Sequence, residues 1–493
     1  MWRWPGHRIG IGLAVMRKPS CGMACAVAKE FSIFYHFAML TKIPAKAFGI
    51  IFTLITVLAS EAQPGGDAHA TSLPVLNSEG RIDHRFSVSV NGVDETVHNT
   101  AQGFFCQIEL ERPVVVEVGC DEEIKKVDVR PRSRNIKVDY SGRKMRLTLN
   151  TPAKLSIEVN GDLKTPLFLF ADRPETQVVN PRDPSIRFFK KGQIYNVGSI
   201  KLTDGQSVYI ERGAIVDGWI SAENASNIRV FGRGILEATK YGSATVFKSC
   251  RNVEISGITT VKGGKGWVNK ILLCDQVRFS NYKDIAWGPF SDGIDLLGSK
   301  NVTIEDVFIR NEDDSIVLKT SKAGVQGNVE NILVQDAVIW HGSAGNAIEI
   351  GYETTGDFIR NAVYKNIDII RADTHEPKFN RAAISMHLAG NAAVSNIRYE
   401  NIRIEAAMEY LINFQLVNVK KWGDGGGSVN HVLLKDIHLT DGPDAPSIIR
   451  GLPSSPLRGI IFENLNYKGV RINGSNSAAT HNFSIKNADV VWR

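Results

Sequence analysis

Cysteine is scarce in this chain, apolar runs are short and helical patterning is missing, and each shortage removes a class of protein. Six of the 493 residues are cysteine. Cys21 and Cys25 lie near the start, and Cys106, Cys120, Cys250 and Cys274 have none of the C-x-x-C spacing of a zinc or redox centre. They read as structural residues, and neither a metal nor a cofactor is expected. The apolar run from Ala47 to Leu58 falls short of the about 20 residues that span a bilayer. A clustered excess of one charge is missing as well. The net charge is +6, but residues 1–62 hold seven Lys/Arg against Glu30 and Glu61, and the remainder balances 51 basic against 50 acidic residues. A nucleic-acid partner requires a basic face, so none is expected.

What the first residues do contain is a targeting pattern. Lys42 and Lys46 precede the apolar run, and Ser60-Glu61-Ala62 offers a small-x-small cleavage site. That order is a secretory signal, with Met39 as a start of more ordinary proportions. The bland alternative is an uncleaved anchor. The expectation is a leader over 1–62, a linker over 63–84, a secreted or periplasmic location, and no membrane partner beyond export. From 85 to 171 short alternating segments such as Val114-Val-Val-Glu-Val recur with turn residues between them. They predict a small antiparallel β-sandwich. The proline-rich stretch 172–184 reads as a linker, and 185–493 as the catalytic region.

That last region repeats itself. Asn227-Ile-Arg-Val, Asn252-Val-Glu-Ile, Gln276-Val-Arg-Phe, Asn301-Val-Thr-Ile, Asn331-Ile-Leu-Val, Asn361-Ala-Val-Tyr and Asn396-Ile-Arg-Tyr follow at gaps of 25, 24, 25, 30, 30 and 35 residues. Such a period marks one stacked unit per repeat. With strands and turns alone in the unit, the fold class is all-β, a parallel β-helix preceded by the sandwich. Stacked Asn side chains are expected to satisfy buried turn amides. A second strand aligns in every coil and stacks Ile294, Ile316, Ile348 and Ile384 as an interior ladder. Cys250 and Cys274 share a phase and should stack as a disulfide or as thiols.

This register gathers chemistry. Rungs of a parallel sheet lie about 4.7–4.9 Å apart. Asp292 and Asp314 fall on adjacent rungs, with Asp313 beside them and Asn346 one rung further. Carboxylates this crowded raise one another's pKa, and an acid poised beside a base is what glycosidic bond cleavage uses. Each aspartate alone would be an ordinary turn residue; two successive rungs of them are not. Strict alternation from an inward Ile294 would turn Asp292 inward, so the strand has to bend there. Otherwise the exposed set is Asp295, Asp313, Glu349 and Lys319. Trp267, Trp287, Trp340 and Tyr352 flank the same strands and are candidate sugar platforms, with core packing as the alternative.

Ser291-Asp-Gly-Ile-Asp, followed one coil later by Asn311-Glu-Asp-Asp-Ser-Ile-Val-Leu-Lys, resembles the N-T-D-G-I-D and G-D-D-x-I-x-x-K signatures of glycoside hydrolase family 28, the polygalacturonases. The layout resembles the dextranases of family 49, which place a β-sandwich before a β-helix. The resemblance implies a right-handed helix and an inverting hydrolase. Asp313 or Asp292 would be acid or part of the water-activating pair, Asp314 would share the latter role, and the carboxyl groups would stand about 6.5–9.5 Å apart. Two departures stand out. Gly345-Asn346-Ala347 replaces the family's G-H-G, and Ala383-Ile384-Ser385 replaces its R-I-K. A galacturonate carboxylate then lacks its partners, although Arg381 and His387 lie nearby. The expected partner is a poly- or oligosaccharide bound by Asn346, Lys319, Glu349, Tyr352, Arg381, His387 and Trp267. A Ca²⁺-dependent lyase, with Arg381 or Lys319 as base, and a non-catalytic carbohydrate-binding β-helix are the competing readings.

Overall fold

The computed structural model describes residues 85–373, 381–419, 421–423, 425–442, 447–476 and 483–493. The expected leader and the 63–84 linker lie outside them. Among the described residues no helix is long and apolar enough to cross a membrane, and the only helical turn is the 3₁₀ segment Arg132–Arg134. Everything else regular is strand.

Two five-stranded sheets come first, running from Phe86–Val90 to Leu167–Asp172. Alternation explains them. In Lys144–Leu149 every second residue is buried, and Met145, Leu147 and Leu149 meet Val114, Val116 and Val118 in a shared core. The pairing is antiparallel apart from Leu167–Asp172, which runs parallel to Gly103–Glu109.

From Ile186–Phe189 onward the chain winds into one right-handed parallel β-helix whose described strands form a single 27-stranded ladder. Its register follows the repeat. Ile294 pairs with Ile316, Ile316 with Ile348, Ile348 with Ile384 and Ile384 with Ile412. All five isoleucines are fully buried in the cylinder core, where β-branched side chains fit a sheet covered on both faces.

The asparagines behave differently from expectation. Asn227, Asn252, Asn301, Asn331, Asn361 and Asn396 all take a left-handed backbone, with φ between 53° and 59°. Their amides do bond along the stack, Asn331 to Asn301 at 3.0 Å and Asn396 to Asn361 at 2.8 Å. The ladder is solvent-exposed rather than buried. Asn is used because its short polar side chain tolerates the left-handed turn. A second ladder, Asp306, Asp336, Asn366, Asn401, Asp436 and Asn464, runs five residues after the first in the coils that carry both and shares its left-handed geometry.

Phe105, Phe168 and Phe170 of the sandwich pack on Ile285, Phe308, Val338 and Trp340 of the β-helix flank. Ion pairs ring this contact: Lys283 with Asp172 at 2.5 Å, Arg130 with Glu405 at 2.6 Å and Arg371 with Glu158 at 2.5 Å. Trp340 is 1% exposed and stacks edge-on to Phe168, and Trp287 packs against the same cluster. Trp340 is thus core packing under the sandwich, and Trp287, half-buried, packs partly on the same flank. Cys106, Cys120, Cys250 and Cys274 are buried free thiols; Cys250 and Cys274 stack without a bridge.

Candidate active site

Asp292 stands outside the inward alternation because its strand begins only at Ile294 after a bend at Gly293, and it is still buried. A side chain on Gly293 would meet the Ser315 carbonyl at 2.5 Å, so glycine lets the two rungs close. Asp292 then faces Asp313 and Asp314, and carboxylate oxygens of the three lie within 4.8 Å of one another. Gly345, at φ +73°, leaves the space that Asp313 Oδ1 occupies, 2.4 Å from where a Cβ would stand.

The reserve set joins the same site. Lys319 Nζ donates to Asp292 Oδ2 at 2.9 Å and to Asp295 Oδ1 at 2.7 Å. The ammonium also sits 4.0 Å from the centroid of Trp267. Asp314 Oδ1 accepts from the backbone and side-chain amides of Asn346 at 2.9 and 3.0 Å, and Asn346 Oδ1 accepts from the Ala382 amide. Glu349, the next acidic rung, bonds the Ser385 hydroxyl and pairs with His387 Nδ1 at 3.1 Å. The His387 ring stacks on Tyr352 at 4.5 Å, Tyr352 meets Trp422, and the Arg381 guanidinium lies 5.4 Å over the Tyr352 ring. These contacts link Asp292, Asp313, Asp314, Lys319, Trp267, Asn346, Glu349, His387, Tyr352 and Arg381, while Trp340 lies on the flank under the sandwich and Trp287 packs partly there.

Charge in the cluster is set by burial first. Burial, and then the neighbouring Asp292 charge, push Asp313 up to about 7. Burial and like charge drive Asp314 and Asp295 well above the carboxylate range, and burial raises Asp292 against the pull of Lys319. Lys319 is held protonated, because Asp292 and Asp295 outweigh its own burial. Burial opposes the Arg381 charge too, yet Asp314, Tyr352 and Glu349 more than offset it. Asp313 is the most open of the three central aspartates; Asp292 and Asp314 are 3% and 6% exposed. The three carboxylates are close enough to share a divalent cation, with Lys319 supplying positive charge at the same place.

Several supporting residues have no signature in the spacing. Asn311 Nδ2 donates to the carbonyls of Ser291, Asp313 and Asp314 and so ties both rungs together. His341, opposite Asn311 on the next coil, bonds the Ala344 carbonyl at 2.6 Å and is pushed down to about 3 by burial. Only the invariant register, Asn311 pairing His341, could have pointed to them.

Residues 219–490, more than half the chain, match the sequence profile of glycosyl hydrolases family 28. The chain belongs to this family. A polygalacturonase of Phaedon cochleariae is 23% identical over 199 residues, 39% of this chain and 50% of the relative. One from Arabidopsis thaliana is 23% identical over 294 residues, 54% and 62% of the two chains. The matches thus span about half to three-fifths of these relatives. Dex49A from Penicillium minioluteum superimposes with a TM-score of 0.57 at 14% identity, covering 83% of this chain and 94% of that one. It shares the fold across both the sandwich and the β-helix.

Proposed function

We propose that this chain is a glycoside hydrolase that cleaves a neutral polysaccharide or oligosaccharide by carboxylate acid–base chemistry. The observation that carries the reading is the convergence of Asp292, Asp313 and Asp314, with oxygens within 4.8 Å. Asp313 is the general acid: it is the most accessible of the three and keeps its proton up to about pH 7. Asp292, ion-paired to Lys319, activates the attacking water, and Asn346 fixes the protonated Asp314 beside it. Family membership favours inversion. The expected gap of about 6.5–9.5 Å between carboxyl groups is not met oxygen to oxygen. That compactness favours a second reading, retention, with Asp292 as nucleophile.

Charge supports a neutral sugar. Lys319 is committed to Asp292 and Asp295, and Arg381 faces Asp313, Asp314 and Glu349. Ala383 and Ile384 are in the cylinder core, and Ser385 is spent on Glu349. A uronate would bring one more negative charge to a group already crowded with carboxylates. The same commitments weaken the lyase reading, since neither Lys319 nor Arg381 gives up its proton to become a base.

The test is a reducing-end assay over neutral and uronic glycans, with the first-formed anomer followed by proton NMR. Cleavage of a neutral glycan with inversion is expected. Retention would replace the water-first route by the nucleophilic one. An unsaturated, ultraviolet-absorbing product that disappears with EDTA would establish the lyase instead. Export to the periplasm or the medium belongs to the same proposal and is read by fractionating cells that express the full chain.

A further inference from the structure

The residue before Asp313 is Glu312, at the place where the resembled signature has glycine. Its carboxylate is fully employed. Glu312 Oε1 accepts from Arg310 Nη2 at 2.9 Å and from Gln102 Nε2 at 2.8 Å. Oε2 accepts from the Ser343 amide and hydroxyl at 2.9 and 2.8 Å. Gln102 belongs to the sandwich, 210 residues away in sequence. Its own carbonyl accepts from Arg310 Nη2 at 2.5 Å, and Arg310 Nη1 reaches the Asn311 carbonyl at 2.8 Å. Gln102, Glu312 and Arg310 therefore close a ring of hydrogen bonds across the contact between the two structures.

Both ends of this ring are rigid. Gln102 sits in a turn where its amide donates to Thr100 Oγ1, and the next residue, Gly103, runs so close to Pro166 that a Cβ would lie 2.6 Å from its carbonyl. Arg310 is 7% exposed and stacks 5.2 Å from the centroid of Trp340. What they hold between them, through Glu312, is the loop that carries Asp313. The Gly342 amide bonds the Asn311 carbonyl and the Ala344 amide bonds the Glu312 carbonyl, both at 2.8 Å. Gly345, two residues after Ser343, is the glycine that makes room for Asp313. Charge-assisted hydrogen bonds of this kind hold a loop more firmly than neutral ones.

We propose that the sandwich is a working part of the reaction centre, with Gln102 a positioning residue that sets Asp313 through Glu312. The sandwich is thus more than an appended module: it fixes the backbone on either side of the acid. The kinetic half of this inference rests on the hydrolase reading; the mechanical half does not. Displacing a catalytic group by about 1 Å can cost on the order of 10²-fold in rate.

Two variants of the full chain, Gln102→Ala and Gln102→Glu, test it by amide hydrogen exchange and steady-state kinetics. In Gln102→Ala, peptides covering 311–315 and 342–346 should exchange faster, with the β-helix core unchanged. Its kcat should fall roughly 10- to 100-fold with KM held within about twofold. Gln102→Glu sets a second carboxylate against Glu312, but its protonated form reproduces the amide's donor and acceptor. Its kcat relative to the parent protein should therefore recover as pH falls from 7 to 5. Unchanged exchange in Gln102→Ala overturns the brace, whatever the activity. Faster exchange with kcat unaltered overturns the positioning role. So does a loss that tracks global melting temperature in both variants without pH rescue in Gln102→Glu. Should the parent protein cleave no glycan, the hydrolase reading falls and takes the kinetic half with it, and exchange alone decides the mechanical half.

Discussion

Asp313 must hold a proton at a pH where an ordinary aspartate has lost it, and its surroundings provide for that. Burial and Asp292 raise it to about 7, so activity that needs the acid form should fall as pH rises through 7. Asp313→Asn should lower kcat by about 10²- to 10⁴-fold in the reducing-end assay. Stability follows pH in the same direction. A carboxyl whose folded pKa lies above its unfolded value favours the fold at low pH and loses that contribution as pH rises through the folded pKa. The melting temperature of Asp313→Asn should therefore gain on that of the parent between pH 5 and pH 8. Lys319→Met strands Asp292 and Asp295 without their cation. Urea unfolding at neutral pH should show a loss of about 3–5 kcal/mol. Asp292, Asp313, Asp314 and Lys319 were legible because a parallel register turns sequence phase into proximity. Asn311, Glu312, Arg310 and His341 were not, since their roles depend on side-chain direction, which spacing does not carry.

Between residues and the whole lies the coil, a strand–turn unit whose corners are left-handed. Asn331 has φ 58° and bonds both neighbours in its stack. Asn331→Ala should cost about 1–2 kcal/mol, because a Cβ without a compensating hydrogen bond is strained there, whereas Asn331→Gly should cost less. Chemical denaturation of both variants distinguishes backbone strain from loss of the amide ladder. The repeat was readable as a period of Asn followed by alternating apolar residues, and that period placed the isoleucine stack correctly. The exposure of the Asn ladder is not legible, because sequence shows that a turn residue recurs but not whether the turn faces water. The Asp306-to-Asn464 ladder is visible in retrospect as Asn-x₄-Asp/Asn.

Across the molecule, the sandwich lies along the flank of the β-helix through Phe105, Phe168 and Phe170. Trp340→Ala should cost about 3–5 kcal/mol by removing a buried aromatic from that contact, and KM should not change, as Trp340 is covered by the sandwich. A rise in KM would return Trp340 to the sugar groove. The order of sandwich and β-helix could be anticipated from strand patterning alone. Which flank the sandwich covers could not, because an outward aromatic on a β-helix looks the same under a neighbouring sheet as beside a groove. The buried cysteines have a practical corollary. With Cys106, Cys120, Cys250 and Cys274 unbridged, the described part of the fold makes no demand on the redox chemistry of its surroundings. Material made in a reducing cytosol and material recovered from an oxidising medium should melt at the same temperature, and added dithiothreitol should leave both unmoved.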